Sequence, residues 1–124
     1  MKIFLFITGL LVPAIMIAAG WFMHKHPPRK INPVVGYRTA RSMRNMDAWL
    51  FAQKKAGVIW EKTGIISLIA SALLQIPFLF LSVDALSTVS VILMFVQLAA
   101  LFFTIFLVER ALKKAFSDAK EIKP

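Results

Sequence analysis

The stretch TGIISLIASALLQIPFLFLS (63–82), VDAL (83–86), STVSVILMFVQLAALFFTIFLV (87–108) decides the fold. Two charge-free runs of 20 and 22 residues flank a connection of four. At ~1.5 Å per residue each run makes a helix of roughly 30 Å, the thickness of a bilayer's hydrocarbon core. So short a connection makes the pair an antiparallel transmembrane hairpin. Asp84, inside the connection, is expected to serve the turn or to cap the following helix.

Toward the N-terminus, Ile3 to Met23 form a third charge-free run, of 21 residues. Pro13 lies near its middle and should bend the helix, while Gly9 and Gly20 offer flat surface to a neighbour. A cleaved leader is the rival reading. The run is longer than a leader's ~7 to 15 apolar residues, only one Lys precedes it, and Trp21-Phe22-Met23 reads as an interfacial anchor, so a retained span is expected.

Composition agrees with a membrane protein: of 124 residues 59% are hydrophobic and 11 are Phe, more apolar surface than a soluble domain of this size can bury. The formal charge is nonetheless +9, with 15 Lys and Arg against 6 Asp and Glu. Nine of the basic residues fall in 24–62 and five in 109–124, with one at the N-terminus and none in the hairpin. Three spans put the long loop and the tail on one side, so fourteen of fifteen basic residues share a side, which the positive-inside rule makes cytoplasmic. The expected topology is therefore multi-pass, with the N-terminus outside and the C-terminus in the cytoplasm. Basic blocks next to apolar spans report topology and attraction to anionic lipid, so nucleic acid is not an expected partner.

The chain thus reads as one all-α membrane domain over 1–124: a three-helix bundle with spans at about 3–23, 63–82 and 87–108, a cytoplasmic loop 24–62 and a cytoplasmic tail 109–124. Within the loop, His24 to Pro33 contains three Pro and is expected to be an extended linker. From Asn45, a good N-cap followed by Asp47, a helix is expected. Met46, Trp49, Leu50, Gln53, Gly57 and Trp60 recur on one face at spacings of three and four, away from Lys54 and Lys55. That pattern predicts an amphipathic helix lying on the membrane surface between the first and second spans.

The three runs hold no ionisable side chain, the usual requirement for catalysis or ion transport at depth. Their polar groups are uncharged: Gly64, Ser67, Ser71 and Gln75 on the second span, Ser90, Gln97 and Thr104 on the third. In an antiparallel pair the amides of Gln75 and Gln97 come to similar depths and are expected to approach each other as packing contacts. With no Cys there is no disulfide or thiolate site, and His24 and His26 lack acidic partners nearby in sequence, so no metal, cofactor or catalytic residue is expected. Glu61 is expected to pair with the adjacent Lys62 at the interface.

The segment GYRTARSMRN (36–45) is the densest in functional groups. Arg38, Arg41 and Arg44 recur every three residues with Tyr37, Thr39 and Ser42 among them, a set able to grip phosphate or carboxylate, or to rest on headgroups. Gly36-Tyr37-Arg38-Thr39, Ser42-Met43, Asn45 and Trp49, followed by Ala52, Lys54 and Gly57, resemble the signature of the SdpI family of bacterial membrane proteins. The resemblance runs through both later spans to Glu109, and it makes the chain similar to a short, three-span member.

What the resemblance implies is a protein that protects a producing cell from a secreted peptide toxin acting on the membrane, coupled to signalling through a membrane-sequestered cytoplasmic regulator. It also implies functional positions at Gly36, Tyr37, Arg38, Thr39, Ser42, Asn45, Trp49 and Glu109. On physical grounds Gly36 would allow a tight turn, Arg38 would pair with Glu109, Asn45 would cap the surface helix and Trp49 would anchor it among headgroups. Gly57, Gln75 and Gln97 are expected to be structural. The resemblance also implies a bacterial plasma membrane as the location; the lipid bilayer is the expected partner, and the small-residue faces allow a homo-oligomer. A small oligomeric transporter or export subunit is the alternative function, its path running along Ser67, Ser71, Gln75 and Gln97.

Overall fold

A computed structural model describes residues 1–32 and 36–116. Its helices are α1 (Lys2–Lys25), α2 (Met46–Gln75) and α3 (Val83–Ala115), with a 3-10 turn at Pro77–Phe80 between the last two. All three helices are long and apolar enough to cross a membrane. Large apolar side chains point outward along them and the turn, among them Ile66, Phe80, Phe95 and Phe102, each two-thirds exposed or more. Such a belt is tolerable only against lipid, and the chain is a multi-pass membrane protein.

Between helices in lipid there is little hydrophobic driving force, so close backbone approach and hydrogen bonds must hold the bundle. Along α1 the buried residues Gly9, Pro13, Met16, Gly20 and Met23 form one stripe. It runs antiparallel to α2. At the crossing, a Cβ on Gly20 would stand 2.7 Å from the Gly57 carbonyl oxygen and one on Gly57 would stand 2.6 Å from that of Gly20. The flat surface predicted for Gly9 and Gly20 is thus used, with Gly57 as the facing residue on α2.

Helix α1 continues through Pro13. Proline has no N–H to give the carbonyl four residues earlier, that of Gly9. Gln97 of α3 supplies the missing donor: its Nε2 lies 2.8 Å from Gly9 O and 2.8 Å from Ser71 Oγ. Gln75 donates to Ser90 Oγ at 2.9 Å, and its amide lies so close to Gly9 that a Cβ there would meet it at 2.5 Å. The two glutamines therefore converge on Gly9, from α2 and from α3.

Three expectations need correction. The amphipathic helix is not a separate element on the surface: it and the second span are one continuous helix, α2. Nothing between Gln53 and Thr63 breaks it, because Gly57 alone costs only about 1 kcal/mol and is used for close packing. Its apolar face, with Trp49, Ala52 and Ala56 fully buried, packs into the bundle. At 30 and 33 residues, α2 and α3 measure about 45 and 50 Å and outrun the hydrocarbon core at the end that carries the basic residues. The connection is also displaced: α2 ends at Gln75 because Pro77 cannot continue it, and 83–86 already belong to α3. Finally Ser82, not Asp84, caps α3, its hydroxyl accepting from Ala85 N at 3.1 Å, while Asp84 sits in the first turn. Pro33 of the linker and the tail beyond Phe116, with Lys120 and Lys123, lie outside the described residues.

Candidate functional site: a loop held on Glu109

Residues 36–45 cross the charged end of the bundle and are tied by hydrogen bonds to α2 and α3. Gly36 has φ +102°, a left-handed backbone that favours glycine. A Cβ there would also stand 2.6 Å from Gln53 Oε1. With that space open, the fully buried Gln53 side chain clasps the Tyr37 backbone: Tyr37 N donates to Oε1 and Nε2 donates to Tyr37 O, both at 2.8 Å. Thr39 and Ser42 close the next turn, Ser42 N donating to Thr39 Oγ1 at 3.2 Å and Thr39 N to Ser42 Oγ at 2.8 Å. Asn45 then caps α2 as expected, accepting from Ala48 N at 2.8 Å.

The loop's side chains converge on Glu109 of α3. Its Oε2 accepts the Tyr37 hydroxyl proton at 2.6 Å and that of Thr39 at 2.8 Å, while its Oε1 faces Arg41 Nε at 3.7 Å. Burial pushes the Tyr37 hydroxyl well above the usual phenol range, and the hydrogen bond to Glu109 and the carboxylate's charge push the same way. The phenol therefore stays a neutral donor. The arrangement holds and orients; no group in it is set up as a nucleophile beside a base.

Arg41, rather than Arg38, is the cation beside Glu109. The chain alternates at this point: Tyr37 is buried, Arg38 exposed, Thr39 half-buried and Ala40 exposed. If Tyr37 and Thr39 face α3, the residue between them in extended backbone must face away. Trp49 also departs from expectation. It is wholly buried and donates its indole N–H to Pro28 O at 2.7 Å, so it pins the linker to α2 and does not sit among headgroups. Glu61 pairs with His24 at 3.1 Å and not with Lys62, since one turn of α1 lies against it. No group of three or more metal-capable side chains occurs among the described residues.

The structure thus brings together Gly36, Tyr37, Thr39, Arg41, Ser42 and Glu109, with Asn45 capping α2 where the loop ends and Trp49 pinning the linker at Pro28, and it leaves Arg38 on the outer face. Gln53 was read only as part of a helix face. A lone amide on that face, surrounded by small and aromatic residues, is the signal that marks it as a buried backbone partner.

Residues 29–108 match the family model described as the SdpI/YfhL protein family. The "Uncharacterized protein YfhL" of Bacillus subtilis (strain 168) is 37% identical over 59 residues, 48% of this chain and 54% of that protein. The chain thus spans about half the length of this curated relative. No solved structure matches it.

Proposed function

Because the chain belongs to the SdpI/YfhL family, we propose that it acts as the immunity proteins for which the family is named do: it binds a membrane-active peptide toxin within the bilayer, or a cytoplasmic regulator, and performs no reaction. Its basic end faces the cytoplasm of a bacterial plasma membrane, and the N-terminus and hairpin face outward. The observation that supports this reading is the junction on Glu109. One carboxylate on a membrane-spanning helix holds the cytoplasmic loop through Tyr37 and Thr39. A peptide that displaces α3 within the bilayer also moves the loop's anchor, which couples an event in the membrane to a surface that a cytoplasmic partner can read. Transport is less well supported, because Ser71, Gln75, Ser90 and Gln97 bond to one another inside the bundle.

The test is survival of a host expressing the chain under challenge by secreted membrane-active peptides. Glu109→Gln and Arg38→Ala are compared with the unaltered chain at equal membrane abundance. Protection lost in Glu109→Gln supports the reading; protection by none of the three proteins against any peptide rejects it.

A further inference from the structure

We propose that the cleft at the cytoplasmic end of α1 binds the phosphate headgroup of an anionic phospholipid. The cleft measures about 670 Å³ and is lined by His24, Lys25, His26, Arg29 and Lys54, with Leu50 as an apolar wall. Three of these carry fixed positive charge, and no acidic side chain is among the lining residues. Glu61, the carboxylate that meets His24, lies 3.1 Å from its Nε2 and is not itself part of the lining. Like charges gathered around one concavity raise its potential and favour an anion within it.

The cleft's place in the fold selects the anion's source. Helix α1 ends at Lys25, directly after the apolar run, so the cleft opens at the level where hydrocarbon gives way to headgroups. On the membrane side, His26 packs against Trp21 and Phe22 at ring distances of 5.3 and 6.1 Å. Both aromatic rings are about half exposed, at 46% and 48%. A phospholipid fills both halves, its phosphate among the cations and its glycerol and upper acyl chains along the aromatic edge. A free phosphate fills only the first.

The cleft is also held open in advance. Trp49 fixes the Pro28 carbonyl at 2.7 Å, which sets the position of the adjacent Arg29 without help from a ligand. Preorganisation of this kind reduces the ordering cost of binding. The inference is independent of the immunity reading, since a headgroup site is compatible with any cytoplasmic partner.

The experiment counts lipids retained by the full chain, purified from bilayers of equal phosphatidylglycerol and phosphatidylcholine, by native mass spectrometry. Phosphatidylglycerol should be retained over phosphatidylcholine, and Arg29→Gln with Lys54→Gln should lower its retention about tenfold or more. A control with Lys113→Gln and Lys114→Gln removes the same charge elsewhere and should keep the lipid. All four positions are exposed, and helical circular dichroism confirms that each variant is folded. Equal retention in the cleft variant, or equal loss in the control, overturns the proposal. Displacement of the lipid by millimolar inorganic phosphate also overturns it, and assigns the cleft to a soluble phosphate compound.

Discussion

Gln97 donates its side-chain amide to the carbonyl oxygen of Gly9 at 2.8 Å, the one carbonyl in the middle of α1 that Pro13 deprives of its helical donor. An unpaired carbonyl costs most in lipid, where water cannot replace the missing partner. A proline in one span and a glutamine in another, 84 positions apart in sequence, therefore form one unit.

Replacing Gln97 by Leu should lower the stability of the bundle by about 1 kcal/mol, the usual range for an interhelical hydrogen bond in a membrane. Pro13→Ala restores the helical donor, so Gln97→Leu should cost measurably less in that background. A double-mutant cycle read by unfolding in mixed micelles measures the coupling. Strict additivity would mean that Pro13 and Gln97 are unrelated.

Glu109→Gln keeps the shape but weakens two hydroxyl bonds and removes the pairing with Arg41. Amide hydrogen exchange in residues 37–44 should quicken on the order of tenfold, while the middle of α3 stays protected. Unchanged exchange would show that the Gln53 clasp suffices to hold the loop.

Tyr37 is the chain's single tyrosine, so its ionisation can be followed by phenolate absorption. Burial, with the bond to Glu109 and its charge, raises the folded-state value. The stabilisation linked to it is therefore fully present below the unfolded tyrosine's value of about 10 and is lost only as pH rises above that. Phenolate absorption should be absent at about pH 10.5 in the folded protein and appear there on unfolding. Ordinary titration of the folded chain would place Tyr37 away from Glu109.

Gly36→Ala meets two obstacles at once, a φ of +102° and a Cβ position 2.6 Å from Gln53 Oε1. The expected cost is roughly 1–3 kcal/mol. In the Gln53→Ala background the clash disappears but the backbone strain remains, so the substitution should be eased only in part. Thermal unfolding of the three variants separates the two terms.

Single cysteines at Ser71 and Gln97 should resist a water-soluble thiol reagent in membranes, because both side chains are buried in the bundle. Rapid labelling of both would return weight to a solute path.

Much of the architecture follows from the chain itself. Three runs of about 20 apolar residues must be helices in lipid, since only a helix satisfies its own backbone there. The block 36–45 was legible as a candidate site because its polar groups crowd into ten residues beside apolar spans. The sequence alone also identified Asn45 as a cap and Gly9 and Gly20 as contact positions, for these are local or steric properties of a residue type. Which acid meets which base was not legible. Arg38 and Arg41 have the same chemistry, and only the alternation of an extended loop, anchored by Gln53 and Tyr37, turns one outward and brings the other to Glu109. The joining of surface helix and second span is likewise a tertiary outcome. An amphipathic face reads the same whether it meets headgroups or other helices, and here α1 and α3 reach far enough to cover it.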